Sequence, residues 1–300
     1  MSEQEHDSRT SEALKNIRNK HRRQKLFAEI KHEKQQARHK LRSQRAKEER
    51  ENPELKEERI ANNAPDTIES KRVYDETIGE DLEGEDEFVQ FFADNKEPKI
   101  LLTTSEYAKK PAYEFADILM DFLPNVTFIK RKREYSMKDM AKFCKNRGYT
   151  DLVVINEFKK KVTGITFIHL PEGPTFYFSI TSLTESKKIA GHGRATDHTP
   201  ELILNNFNTR LGKTVGRLFQ SIFPPKPELV GRQVITLHNQ RDFIFFRRHR
   251  YVFRNEEKVG LQELGPQFTL KLRRLQRGVR EEVEWEHRPD MERDKRKFYL

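Results

Sequence analysis

The side chains of this chain that can do chemistry are mostly cations, and their spacing suits binding. From Gly265 to Arg280 the sequence reads GPQFTLKLRRLQRGVR. Phe268, Leu270 and Leu272 fall on one side of an extended strand and Gln267, Thr269, Lys271 and Arg273 on the other, the period of two that marks a half-buried strand. One face is expected in the core and the other is expected to be cationic. Arg274, Gln276, Arg277 and Arg280 continue the run with no acid among them, so this end of the fold should present positive charge to something negative. Similar groups recur elsewhere. Lys130, Arg131, Lys132 and Arg133 follow a predicted strand, Arg194 sits in a glycine loop, and Arg247, Arg248, Arg250 and Arg254 interleave with Phe243, Phe245, Phe246, Tyr251 and Phe253. Phosphate contacts need cations but no sequence code, and looped or single-stranded RNA also accepts aromatic platforms. Alternating aromatics in a strand are usually core, so Phe243, Phe245 and Phe253 are expected to pack and the arginines to make the contacts.

Other chemistries lack their residues. Gly212-Lys213-Thr214 ends like a phosphate-binding loop, but Phe207 stands where that loop needs a glycine, and the tripeptide lies inside a helical pattern. Gly191 and Gly193 lack the third glycine of a dinucleotide fingerprint. His192 and His198 have no cysteine near them, and one cysteine in the chain cannot make a common structural zinc site. Cys144 reads as a small core residue beside Phe143, and no Gly-x-Ser-x-Gly elbow occurs. Neither a catalytic residue, a metal site nor a cofactor is expected. The sequon at Asn125 has no secretory context, and the lone cysteine suits a reducing compartment.

Charge is distributed in blocks. Residues 14–47 carry 13 Lys/Arg against 2 acids, residues 48–94 carry 5 against 17, and residues 95–300 carry 39 against 25. Basic, acidic, basic is the order. The apolar residues of the basic arm are too few for a membrane-surface helix, and no run is apolar enough to span a bilayer, so nucleic acid is the expected partner and a membrane is not.

These cations need a scaffold. Residues 1–60 should be helical where ordered, broken at Pro53, with too few apolar positions for a core; residues 61–97 form an acidic linker whose Phe88, Phe91 and Phe92 should dock in a groove. A domain is expected over 98–280, in halves of about 98–190 and 191–280, with a charged tail over 281–300. Its first half reads β-α-β-α-β and then two antiparallel strands: 99–105, helix 111–122, 126–130, helix 136–145 capped by Ser136, 151–156, 162–170 and 175–183. The second half is expected to hold one long helix over 201–223, strands over 233–238, 242–247 and 249–254, and the closing strand. Gly173-Pro174 opens Thr175-Phe176-Tyr177-Phe178 in the way Gly265-Pro266 opens Gln267-Phe268-Thr269-Leu270, at an offset of 92 residues, which suggests internal duplication. The fold class is therefore α/β, two tandem duplicated halves with mixed sheets.

Several separated motifs in order carry a resemblance. Lys99-Ile-Leu-Leu-Thr-Thr-Ser105, Arg133-Glu-Tyr-Ser-Met-Lys-Asp-Met140, Arg147-Gly-Tyr-Thr-Asp-Leu-Val-Val-Ile155, Gly173-Pro-Thr-Phe-Tyr-Phe178 and Gly265-Pro-Gln-Phe-Thr-Leu-Lys-Leu272 together resemble the Brix-domain family over about residues 98–280. The resemblance implies two similar α/β halves and a non-catalytic nucleolar assembly factor that binds pre-ribosomal RNA through its final basic strand. It further implies the large subunit, a nuclear and nucleolar location, a Mak16-like assembly factor as partner and other pre-60S factors nearby. Two rivals remain: a protein scaffold without RNA, and an RNA-processing enzyme, which would need a carboxylate cluster or nucleotide pocket.

Overall fold

The computed structural model describes residues 17, 19–63, 67, 70–73, 88–94, 96–255, 258–293 and 297–300. Expectations about residues 1–16 and about most of the acidic run, 74–87, lie outside the described residues. Two compact units result, residues 1–67 and 68–300. The first holds α1 (Lys20–Glu51) and α2 (Pro53–Asn62). Asn19 caps α1 by accepting from the backbone N–H groups of His21 and Arg22, and Pro53 starts a new helix because its ring cannot continue the old one. Neither helix has a buried residue, as their sparse apolar positions require.

The second unit is built on one large mixed sheet. Its strands are β1 (Ile100–Thr104), β2 (Val126–Phe128), β3 (Asp151–Phe158), β4 (Lys161–His169), β5 (Thr175–Thr184), β6 (Glu201–Asn205), β7 (Gln233–Gln240), β8 (Phe243–Phe253), β9 (Val259–Glu263), β10 (Gln267–Gln276) and β11 (Val283–Glu286). They lie in the order β2-β1-β3-β4-β5-β10-β8-β7-β6, with β9 beside β8 and β11 beside β10. The halves mirror each other: β1-β3-β4-β5 in one matches β6-β7-β8-β10 in the other, and both open with a parallel pair. They meet where β5 and β10 pair antiparallel, with Leu270 opposite Ile180 and Leu272 opposite Phe178.

Helices cover the faces. These are α3 (Val89–Ala93), α4 (Lys110–Met120), α5 (Met137–Asn146) and α6 (Arg210–Ile222). Phe115 and Leu119 of α4 and Val215, Leu218 and Phe219 of α6 join the larger core cluster with Phe178, Phe246, Phe268 and Leu270. Ala141 and Cys144 of α5 form a smaller cluster on the other side with Leu101, Leu152 and Val154. Ser136 caps α5 as expected, Asp139 completes a capping box with it, and Gly148, at φ 67°, ends the helix. Phe88 docks as expected. It is fully buried, 4.7 Å from the His169 ring, and His169 in turn holds the buried Asp151 at 2.9 Å.

Three expectations fail. The long helix over 201–223 is a strand, β6, followed by the shorter α6, which Thr209 caps by accepting from the Gly212 N–H at 2.9 Å. Leu202 and Leu204 lie on β6 beside β7, not on the buried side of the helix, because tertiary pairing outweighs a helical spacing that runs across the cap. The strands at 242–247 and 249–254 are one, β8, and its buried alternate positions are Ile244, Phe246 and Arg248, so Phe243 and Phe253 are exposed rather than core. The last strand, β10, is not half exposed: Thr269 and Lys271 are buried as well. It sits in mid-sheet, and the chain after it returns to cover that face.

Candidate nucleic-acid interface

β10 explains most of its own cation chemistry. The register slips between Leu272 and Arg274, so two arginines follow one another and Leu275 regains the core phase of Leu270 and Leu272. Arg273, at the bulge, donates from Nε to Ser179 Oγ at 2.9 Å and from Nη1 to His287 Nδ1 at 3.1 Å. Lys271 is only 7% exposed; its Nζ lies 2.6 Å from Glu292 Oε1 and 4.6 Å from the centre of the Phe243 ring. Arg274 pairs with Glu286, and Arg277 stands 3.8 Å from Glu284. Gln267 donates to Glu263, which Arg247 approaches to 4.0 Å. The acids of β11 and of the turn after it therefore lie over the cations of β10. Because an arginine cannot accept a hydrogen bond, His287 Nδ1 must be the unprotonated nitrogen, and Nε2 then faces Glu292 Oε1 at 3.4 Å. Burial, then the charges of Lys271 and Arg273, hold His287 below the usual histidine range; the Lys271 hydrogen bond holds Glu292 below the usual carboxylate range.

Other expected contacts divide by burial. Arg248 is 2% exposed, donates Nε and Nη2 to Gln233 Oε1 at 3.2 and 2.6 Å, and lies over the Phe122 ring. Burial pushes its guanidinium down to about 10, against the pull of Asp121. It is thus a structural arginine, and the expectation of an exposed contact there is corrected by its place on the inward side of β8. Arg250 and Arg254 are exposed farther along the same strand, Arg194 is exposed in its loop, and Arg280 is exposed with φ 58°. Gln276 is half-buried and Thr269 buried against β5 and β8, so neither offers an open side chain.

The segment after β2 brings a second group together. Lys130, Lys132 and Arg133 are exposed, and Arg133 lies 4.7 Å over the Tyr107 ring. Arg131 turns inward to Glu106 at 2.9 Å. Beside them stand Tyr135, Phe143, Arg147 and Tyr149, which reading charge alone missed; the alternation of aromatic and basic residues between 130 and 149 was the available signal. Among the described residues no group of His, Cys, Asp and Glu could hold a metal ion, and no helix is long and apolar enough to cross a membrane. Gly212-Lys213-Thr214 lies within α6, as its helical pattern indicates.

Two matched half-sheets joined through a central antiparallel pair, with cations and aromatics along their edges, define a class, and the Brix domain model matches residues 105–274, so the chain belongs to the Brix domain family. It is 66% identical over 288 residues to Ribosome production factor 1 of Saccharomyces cerevisiae, which covers 95% of this chain and 98% of that protein. Ribosome production factor 1 of Pongo abelii is 43% identical over 301 residues, 96% of this chain and 85% of that one. A solved structure, a probable ribosomal biogenesis protein from Aeropyrum pernix K1, is similar at a TM-score of 0.44 and 17% identity, over 58% of this chain and 96% of that chain.

Proposed function

We propose that this chain is a non-catalytic ribosome-assembly factor of the nucleus and nucleolus, which holds large-subunit pre-ribosomal RNA and a Mak16-like protein partner in place while the RNA is processed. One observation carries the reading: 66% identity over 95% of the chain to a protein named for ribosome production. The side chains on offer agree with binding. Arg250, Arg254, Arg194, Lys130, Lys132 and Arg133 are exposed cations able to meet phosphates, whereas the cations of β10 would have to exchange Glu284, Glu286 and Glu292 for RNA. The test is crosslinking of the tagged full chain to RNA in growing cells, with sequencing of the bound fragments. Reads on precursor and mature large-subunit RNA are expected, together with release from particles by ribonuclease. Reads confined to the small subunit would reassign the particle, and retention after ribonuclease with no enriched reads would replace RNA binding by a protein scaffold.

A further inference from the structure

Between α5 and the segment that follows β2 lies a pocket of about 250 Å³. Leu101, Met140 and Cys144 line it with apolar surface, and Tyr135, Phe143 and Tyr149 add aromatic rings. Tyr135 and Phe143 meet edge to face at 5.3 Å and both are exposed, 39% and 43%. Lys130, Lys132 and Arg147 stand at its rim, Arg147 6.0 Å over the Phe143 ring and Lys99 4.6 Å over that of Tyr149. Two polar atoms in this lining lack a partner. Thr103 is 1% exposed and its Oγ1 makes no hydrogen bond; the Arg131 side chain is 6% exposed and its Nε makes none, although Nη2 holds Glu106. Both atoms are sealed beneath the pocket wall, so the groups that an occupant would meet are the aromatic rings and the rim cations.

We infer that this pocket takes one unstacked base of a single-stranded or bulged RNA. The observations favour a nucleotide over an apolar peptide side chain, because exposed rings stand beside exposed cations and an apolar side chain would leave Lys130, Lys132 and Arg147 unmatched. The faces of a base stack on Tyr135 or Phe143, and its flanking phosphates meet Lys130, Lys132 and Arg147. The inference rests on the RNA-binding reading above but concerns a different surface from β10. It lies on the first half of the domain, on the side of the sheet that α5 covers.

The test uses the purified full chain and a 5′-labelled single-stranded oligoribonucleotide, with affinity measured against salt and ultraviolet crosslinks mapped by peptide mass. The expected crosslinks fall within residues 129–149. Tyr135→Ala with Phe143→Ala should weaken binding by about tenfold without changing the salt slope, since stacking releases no counterions. Lys130→Ala with Lys132→Ala should also weaken binding and lower the salt slope by about 2 while leaving the melting temperature unchanged, because both side chains are exposed; that pair of readouts separates a lost contact from a lost fold. Wild-type affinity in both variants, with crosslinks elsewhere, would overturn the pocket and leave RNA binding standing. Absence of binding by the unaltered chain would remove the RNA-binding reading itself. Unchanged RNA affinity with loss of the chain from assembling particles would give the pocket to a protein and overturn the proposal.

Discussion

At the scale of single residues, burial separates arginines that sequence treats alike. Arg248 and Arg250 are two residues apart on β8, and both read as contacts in a run of cations and rings. Arg248 points inward to Gln233 and Phe122, whereas Arg250 is exposed. Arg248→Ala should cost about 2–3 kcal/mol, because it strands the buried Gln233 oxygen and removes packing, and thermal melting will measure it. Arg250→Ala should stay within about 0.5 kcal/mol of the native stability but lower the slope of RNA affinity against salt by about 1. Equal stability losses in the two would refute the assignment. The difference was half legible: strand period puts 248 and 250 on one side of β8, but how far the core extends along that side depends on what the rest of the fold lays over it. Cys144 was read correctly from its neighbours. Burial pushes its thiol up to about 11, so it should resist alkylation at neutral pH until the protein is denatured.

At the scale of elements, sequence reading did best where a local signal fixed the boundary. Ser136 and Asp139 announce the start of α5, and Gly148 its end, through bonds that span three or four residues. It did worst where two elements share one apolar spacing, as in β6 and α6, because leucines and phenylalanines continue across Thr209, the residue that caps α6. The charged segment after Gly278 is mostly exposed, but its last residues enter the core. Leu300 is buried, donates its N–H to Asp242 and accepts from Asn239, and a Cβ at Gly212 would stand 2.7 Å from its carbonyl carbon, contacts that no periodicity within the segment announces. This returning segment carries the His287 and Glu292 cluster, which makes its hold on β10 sensitive to acid. His287 is depressed in the folded state below its usual 6.5, so below that value the unfolded chain takes up the proton first and stability falls as pH drops. Glu292 contributes above its usual 4.5 and that contribution is lost only as pH falls through its lower folded value, so His287 governs the window between 6.5 and 4.5. Hydrogen exchange over residues 283–292 should quicken from pH 7 to about 5.5 relative to the intrinsic rate, and His287→Gln should flatten that change. An unchanged pH profile in the variant would remove His287 from the account.

At the scale of the whole molecule, the duplication was visible in sequence and its consequence was not. Gly173 and Gly265 both have positive φ, and each is approached so closely that a Cβ would fall 2.5 Å from the Gly278 oxygen or 2.7 Å from Ser186 Oγ, so both halves had to keep a glycine and the repeat stayed readable. An offset of 92 residues says nothing about whether two halves form two domains or one. The structure answers through β5 and β10, which pair with each other at the centre of a common sheet, and through rings that cross between halves: Phe115 meets Phe268 at 5.8 Å, Phe122 meets Phe246 at 5.0 Å, and Phe178 meets Phe219 at 5.8 Å. One core cluster therefore belongs to both halves. Residues 98–190 made alone would leave the β5 edge unpaired and Phe176 and Phe178 without part of their cover, so that fragment should show no cooperative melt, while mixing it with residues 191–300 should restore one. In the intact chain, Phe268→Ala in the second half should cost about 3–5 kcal/mol and weaken exchange protection in β1 and β3 of the first half as much as in β7 and β8. Two separate melting transitions, or a loss of protection confined to the second half, would mean that the halves fold as independent domains and that the central pair is only a contact between them.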